Sequence, residues 1–422
     1  MQPLLLNLYR TISGWSEPLL PFVLQRRARS GKEDIARLDE RLGRASLERP
    51  DGDLVWLHGV SVGESLSLLP LIAAITRDHP EVQILVTSAT RTSADLMGQR
   101  LPRGVIHQYA PVDAPGAVAR FLAHWRPGLG LFVESELWPN LILQAKASGV
   151  RLGLVSARMT EESFQGWFKR RAAAKTLLQT FDLILPQDRA TASRLERLGA
   201  RLGPGLNLKT LGAPLPCDAG ELEALSVQLA GRKVILAAST HPGEDALIAR
   251  AYAEAGVAKG LLVIAPRHPD RGVEIAAELT TMGFQVARRS QSDPIVPATT
   301  AYLADSLGEM GLLFRLADVA IMGGSFVPGI GGHNPLEPAL LGPAIVVGPH
   351  TFNASEVYED LIARVGAILA QDERALARHI RGLCQYADIG DQVSQAALAY
   401  ALQQGDALDQ ALRLISPMMA RP

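Results

Sequence analysis

Short apolar runs alternate with amphipathic stretches from residue 54 onward, and this alternation limits the fold more than any other feature of the chain. Leu54–Leu57, Gln83–Thr87, Val105–Tyr109, Leu129–Val133, Arg151–Val155 and Leu183–Leu185 read as strands. Between them, Ser65–Thr76, Ser93–Leu101, Ala114–His124 and Leu141–Ser148 place apolar residues near the 3.6-residue period of a helix. After a Gly-, Pro- and Asn-rich lapse at Gly203–Asp218 the pattern restarts. Strands are expected at Lys233–Ala237, Leu261–Ala265, Gln285–Ala287, Ala301–Ala304, Val319–Met322 and Ala344–Val347, with helices at Glu244–Ala255, Arg271–Met282 and Glu309–Ala317 and a mostly helical C-terminus from Asp372. Strand–helix alternation of this kind specifies an α/β chain with parallel, doubly wound sheets. At 422 residues the chain exceeds one typical domain, so the expectation is two Rossmann-like domains facing each other across a cleft. Ligands of such sheets bind beyond the carboxyl ends of the strands.

Bulk properties exclude several functions. A formal net charge of −1 excludes a globally basic nucleic-acid binder. Two cysteines, Cys217 and Cys384, without ligand spacing, and nine histidines without an H-x-x-x-H pair, signal neither a metal centre nor a disulfide framework. The N-terminus departs from a soluble pattern. Residues Met1–Leu24 are rich in Leu, Phe, Trp and Pro and are followed by Arg26, Arg27, Arg29 and Lys32. Arg10, Glu17, Pro18 and Pro21 interrupt the run, which argues against a spanning helix. A segment lying in the membrane interface, its basic flank against anionic lipid, fits better than a helix packed on the protein's own core.

The richest functional stretch is Gly323–Pro338, where a strand empties into five glycines within ten residues and then His333, Asn334 and Glu337. Glycines after a strand admit close backbone approach to a ligand, and a following helix N-terminus offers N–H groups to an anion. Glu337 is placed to accept hydrogen bonds from ribose hydroxyls. The simpler alternative is a tight turn with a helix cap. Three further strand-end loops have chemistry suited to a nucleotide phosphate: Ser239–Glu244, Pro266–Arg271 and Asp305–Met310.

In the first half, Gly59–Gly63 matches G-x-S-x-G, but only one strand precedes it, against a hydrolase elbow. The alternative is a loop that delivers Glu64 ionised to the strand end, ready to take a proton from an acceptor hydroxyl, or else a plain helix-capping glutamate. Glu134-Ser135-Glu136-Leu137-Trp138-Pro139-Asn140 puts two carboxylates at another strand end, with Trp138 as a flat face for a sugar ring. Lys209 is a lone lysine near the linker. Lys169–Arg171 with Lys175 form a basic run, by default a solvated face.

Taken in order, R-R-A-R-S-G-K-E-D…E-R-L-G (Arg26–Gly43), G-V-S-V-G-E, E-S-E-L-W-P-N, S-T-H-P-G-E, P-R-H-P-D-R, D-S-L-G-E-M and G-G-H-N-P-L-E-P resemble the 3-deoxy-D-manno-octulosonic acid (Kdo) transferases of Gram-negative lipopolysaccharide synthesis. The likeness runs over roughly residues 5–355, and its loop F-V-P-G-I-G-G-H-N is one glycine longer than the family's usual form. The resemblance implies a GT-B glycosyltransferase fold with an N-terminal membrane-associating segment (1–35), an acceptor-binding Rossmann-like domain (36–212) and a donor-binding one (213–422). It further implies inverting transfer of Kdo from CMP-Kdo to the lipid A precursor lipid IV-A, without a cofactor or metal, at the cytoplasmic side of the inner membrane. By motif, Glu64 is implied as general base, with Glu134 and Lys209 supporting the transition state. Pro266, Arg267, Gly308, Glu309, Met310, Asn334, Pro335, Leu336 and Glu337 are implied to hold CMP. Two other readings remain open: another GT-B transferase or epimerase using a UDP-sugar, and an inert nucleotide-binding membrane protein.

Overall fold

The computed structural model describes residues 3–135, 137–211 and 214–419. Glu136, and Gly212 and Ala213 at the expected domain boundary, lie outside the described residues. The chain forms two compact units, one of residues 3–211 with 406–419 and one of residues 214–405.

The first unit holds a parallel sheet of β1 (Leu54–His58), β2 (Gln83–Ser88), β3 (Ile106–Tyr109), β4 (Leu129–Val133), β5 (Arg151–Ala157) and β6 (Leu183–Pro186), in the order β3-β2-β1-β4-β5-β6. The strands are short and apolar because both faces are covered. Alternate residues of β1 serve two cores. Trp56 packs with Phe121, Trp125 and Phe132 on one side, whereas Val55 and Leu57 pack with Ile72, Val86 and Leu131 on the other. Thr90, Thr160 and Asp188 cap three of the covering helices through their side chains. The helix expected over Ser65–Thr76 is two, Val62–Ser67 and Leu69–Asp78, the second carrying Pro70 in its first turn. The helices Glu161–Phe168 and Arg189–Arg197 were not anticipated from the sequence, whereas Arg171–Leu178 carries Arg171 and Lys175 of the basic run on a helix after Trp167. The segment Lys169–Arg171 joins Glu161–Phe168 to Arg171–Leu178, and Arg171 lies over the Phe168 ring.

The second unit contains β7 (Lys233–Thr240), β8 (Gly260–Pro266), β9 (Val286–Arg288), β10 (Ala301–Leu303), β11 (Val319–Met322), β12 (Ala344–Val347) and β13 (Ile368–Leu369), ordered β13-β12-β11-β7-β8-β10-β9 and parallel throughout. Its C-terminal helix Ala387–Met419 does not stay with this unit to the end. Ala411, Leu412, Ile415 and Met419 are part of the first unit's core cluster that also holds Leu71 and Ile75, because this stretch presents an apolar stripe.

The N-terminus forms the helices Leu4–Ser16 and Leu20–Arg29 joined by one 3-10 turn. It is tied to the first unit by Leu6 against Ala173 and Leu177, by Tyr9 to Asp113, and by Glu17, which accepts from Gly116 N–H and Arg120. Leu4, Leu8, Ile12, Trp15, Leu19 and Phe22 remain exposed, Trp15 by 81% and Phe22 by 70%. Among the described residues no helix is long and apolar enough to cross a membrane.

Candidate active site

Each sheet reverses direction once, and the candidate residues lie on loops at or near those two points, Gly308–Met310 standing farther off, after β10. In the first sheet the reversal falls between β1 and β4, and in the second between β7 and β11. A strand-order reversal leaves adjacent loops running to opposite faces, which opens a crevice at the carboxyl ends.

At the first crevice, β1 ends in His58 and turns through Gly59, where a Cβ would lie 3.1 Å from Val133 and 3.3 Å from Glu64. Ser61 caps the helix Val62–Ser67 in a reciprocal capping box. Glu64 Oε2 accepts from Val60 N–H at 2.6 Å and from Ser61 N–H at 3.4 Å, while Oε1 has no hydrogen bond among the described residues. Glu64 is thus both a helix cap and a half-buried carboxylate with one oxygen available. Ser61 is a capping residue, which disposes of the hydrolase elbow.

Glu134 follows β4 directly. It is 4% exposed and sits in the left-handed region at φ 58°, a strained conformation for a residue with a side chain. Lys209 Nζ lies 2.5 Å from its Oε1 in an ion pair whose approach is off the hydrogen-bond direction, and Arg158 lies 3.9 Å from Oε2. Lys209 is placed by two devices: Asn207 Oδ1 accepts its N–H, and Ser156 Oγ accepts from Leu208 N–H at 3.2 Å. Ser156 is itself left-handed, at φ 51°, where the register of β5 slips against β6. Neither Ser156 nor Arg158 stood out in the sequence, since serine at a strand end and an exposed arginine are ordinary. Of the remaining motif residues, Asn140 is engaged structurally, donating to Ser13 and to the Asp113 carbonyl. Trp138 packs partly into the core beside His58 rather than standing free as a platform.

At the second crevice the glycine loop is not an open anion cradle, contrary to expectation. Glu244, 0% exposed, fills it from inside. Its carboxylate accepts from Gly324 N–H at 2.7 Å, Phe326 N–H at 2.9 Å and His241 N–H at 2.9 Å. The Ser239–Glu244 loop is similarly committed, since Thr240 Oγ1 donates to buried Asp245, which Arg271 also holds. Gly323 is required by close approach, because a Cβ would meet the Ser239 carbonyl at 2.4 Å. Gly329 of the loop faces open space and is needed only for its φ of 91°.

Above this base, His241 Nε2 and His333 Nε2 are 2.9 Å apart. Arg267 is exposed, with no hydrogen bond or ion pair to its side chain among the described residues, and follows Pro266 at the end of β8. Burial raises the Glu337 carboxyl above its ordinary range, against the pull of Arg267 and of a hydrogen bond from Asn334. Asn334 Oδ1 also accepts from Leu336 N–H, and Pro335 and Leu336 are buried. The Asp305–Met310 loop is internally clamped. Asp305 accepts from Arg288 and Ser290, and Glu309 from Arg289 and Ser306. These bonds hold the Glu309 carboxyl below its ordinary range, the Arg289 bond foremost. The Glu309 side chain is therefore occupied, Gly308 turns at φ 85°, and Met310 packs against the core. Among the described residues no group of three His, Cys, Asp or Glu is placed to hold a metal.

Two parallel, doubly wound units with loop sites at their reversal points define a GT-B glycosyltransferase fold. Solved structures agree on the fold. Anabaena HepE in complex with UDP matches 87% of this chain and all of its own (TM-score 0.56, 16% identity). A Neisseria meningitidis UDP-GlcNAc 2-epimerase bound to UDP-GlcNAc matches 86% and all of its own (TM-score 0.54, 12% identity). A family profile described as 3-Deoxy-D-manno-octulosonic-acid transferase (kdotransferase) matches residues 36–210. A 3-deoxy-D-manno-octulosonic acid transferase of Bordetella pertussis is 38% identical over 85% of this chain and 86% of the relative. A probable mitochondrial one of Arabidopsis thaliana is 36% identical over 83% and 81%. The chain belongs to the 3-deoxy-D-manno-octulosonic acid transferase family and is a Kdo-transferring glycosyltransferase.

Proposed function

We propose that this chain transfers Kdo from CMP-Kdo to lipid IV-A with inversion, using Glu64 as general base and no metal. The observation that carries the reading is the pair of carboxylates at the β1/β4 reversal. One, Glu64, keeps an oxygen available for an acceptor hydroxyl; the other, Glu134, is buried, strained and neutralised by Lys209. Strain at a strand end is retained where function requires the geometry. Lys209 then offsets charge developing on the phosphate as CMP leaves, and fixed cations do this without reorganisation. In the second unit, Arg267 faces the phosphate and Glu337 the ribose. The backbone of Gly308–Met310 and the Asn334–Leu336 turn frame the base, while the Glu309 side chain serves as an internal brace.

Lipid IV-A lies in a bilayer, and the N-terminal pair of helices offers the matching surface. Its exposed Trp15, Leu19 and Phe22 precede Arg26, Arg27 and Arg29, the arrangement of an interfacial helix on anionic lipid. Such a surface supports a reaction at the cytoplasmic side of the inner membrane. The UDP-bound solved structures bear on the fold alone, and CMP against UDP protection from thermal unfolding separates the donors. Incubation with CMP-Kdo and lipid IV-A, read by product mass, tests the transfer. Glu64→Ala is expected to bind CMP as wild type and to lose transfer by about 10²–10⁴-fold. Near wild-type turnover in that variant would sink the base assignment.

A further inference from the structure

The His241–His333 contact determines where a proton can go at the second crevice. Their ring planes lie within 12° of each other with centroids 5.1 Å apart. With Nε2 atoms 2.9 Å apart, the rings meet edge to edge in an N–H···N hydrogen bond. The Ser239 backbone favours an N–H donor on the His333 ring. Because His333 Nε2 faces His241, that donor is Nδ1–H, and neutral His333 presents a lone pair at Nε2. Assigned from this network, His241 carries its proton on Nε2 and leaves Nδ1 bare. Nδ1 of His241 has no hydrogen bond among the described residues and is not enclosed.

The bridge tolerates one added proton and only at one place. Protonated His241 still donates Nε2–H to His333, so the contact survives. Protonating His333 instead would set two N–H groups head to head. Charge is thus steered to the open nitrogen of His241. The groups facing it are Glu244 at the start of the helix that follows, Arg267, His268 and Arg271 beyond β8, and His333 on the glycine loop, with Glu337 beside Arg267. Burial lowers the His241 pKa, Glu244 pulls the other way, and His268, Arg267 and Arg271 lower it further. Burial, with His241 and Arg267, pushes His333 down to about 4, which keeps its lone pair available. Arg271 is engaged by Asp245, so among the described residues Arg267 is the permanent cation free for a ligand here.

Building on the reading that this unit holds the donor nucleotide, we propose that His241 is a conditional cation for its phosphate: Nδ1 takes up one proton from solvent as the phosphate binds and holds it in a hydrogen bond to a phosphate oxygen. One fixed and one conditional cation suit a group whose charge changes during transfer. The donor phosphate is a diester of charge about −1, and the CMP released is a monoester of charge close to −2.

Calorimetric titration of CMP into the full chain at pH 7.5, in two buffers of different ionisation enthalpy, reads the proton directly, since free CMP is then above its second pKa of about 6. Wild type is expected to take up close to one proton per CMP, with affinity falling up to about tenfold per pH unit toward pH 8.5. His241→Gln keeps an N–H for His333 but cannot be charged. It should bind CMP within about twofold of wild type at pH 8.5 and take up no proton. His268→Gln should keep the uptake, and cytidine should show none with any protein. CMP binding without proton uptake by wild type, or equal uptake by His241→Gln, overturns the proposal while leaving the nucleotide site standing. Failure of wild type to bind CMP removes both.

Discussion

Glu244→Gln tests how the donor loop is held, and its consequence can be worked from three hydrogen bonds. The carboxylate bonds Gly324 N–H and His241 N–H through Oε2 and Phe326 N–H through Oε1, with no solvent access. Glutamine placed with its oxygen at the Oε2 position keeps two of the three, now as neutral bonds of about half the strength. Its amide N–H₂ then points at the Phe326 N–H, leaving two buried donors opposed. Losing charge assistance twice and one bond outright sums to about 3–5 kcal/mol. The second unit, residues 214–405, is of a size where 1 kcal/mol moves Tm by about 2–4 °C. The expected drop is therefore roughly 10 °C in that unit's transition. Because the same bonds fix the loop leading to His333 and Glu337, CMP affinity should fall too, and Glu244→Asp, a methylene short, should not rescue it. Thermal unfolding with and without CMP reads both effects. A variant with unchanged Tm and unchanged CMP affinity would refute the argument that this carboxylate sets the loop.

Lys209→Met leaves Glu134 buried with, among the described residues, only Arg158 at 3.9 Å, and should lower stability by about 2 kcal/mol and abolish transfer. Adding Glu134→Gln should restore the unfolding midpoint but not the activity, and a double variant as unstable as the single one contradicts the pairing. Burial, with a smaller contribution from Arg41, pushes the fully buried His58 down to about 3. Below its ordinary 6.5 the unfolded chain then binds a proton that the folded one refuses, so stability is full above pH 6.5 and falls as pH drops toward 3. His58→Phe should flatten the acid slope of the first unit's unfolding free energy by about 1.4 kcal/mol per pH unit between pH 4 and 6. Coincident slopes in urea titrations would exclude His58 as the group responsible.

The strands were legible because both faces of each are buried, which writes them as continuous apolar runs such as Leu54–Leu57 and Val319–Met322. Helices in the stretch 161–197 were less legible, since Glu161–Phe168 and Arg171–Leu178 are short and lie either side of a run of three basic residues. The site motifs were visible as residue types, but not their internal commitments. Glu244 reads locally as the first residue of a helix. Its actual partners, Gly324 and Phe326, are 80 and 82 positions away and meet it only because β7 and β11 are neighbours in the sheet. Glu309 likewise reads by motif as a residue that holds CMP until Arg289 is seen bonded to both its oxygens. The left-handed backbone of Glu134, Ser156 and Ser239 leaves no trace in residue type.

Those three strained residues show how the two crevices differ in design. Ser156 and Ser239 each stand at a register slip near the end of a strand, and each turns a polar atom onto a neighbouring loop. Ser156 Oγ takes the backbone that carries Lys209, and the Ser239 backbone favours a proton on the facing side of the His333 ring. In the first unit the buried carboxylate, Glu134, meets side-chain cations, whose charge is free to respond when a substrate arrives. In the second, Glu244 meets backbone N–H groups, which cannot move without unmaking the loop. The first arrangement suits a centre where charge develops, and the second a seat that must keep its shape while a nucleotide enters and leaves. With Glu244 and Glu309 both engaged internally, Glu337 is the carboxyl we propose for the ribose, and its burial, only partly offset by Arg267 and Asn334, holds it above its ordinary range.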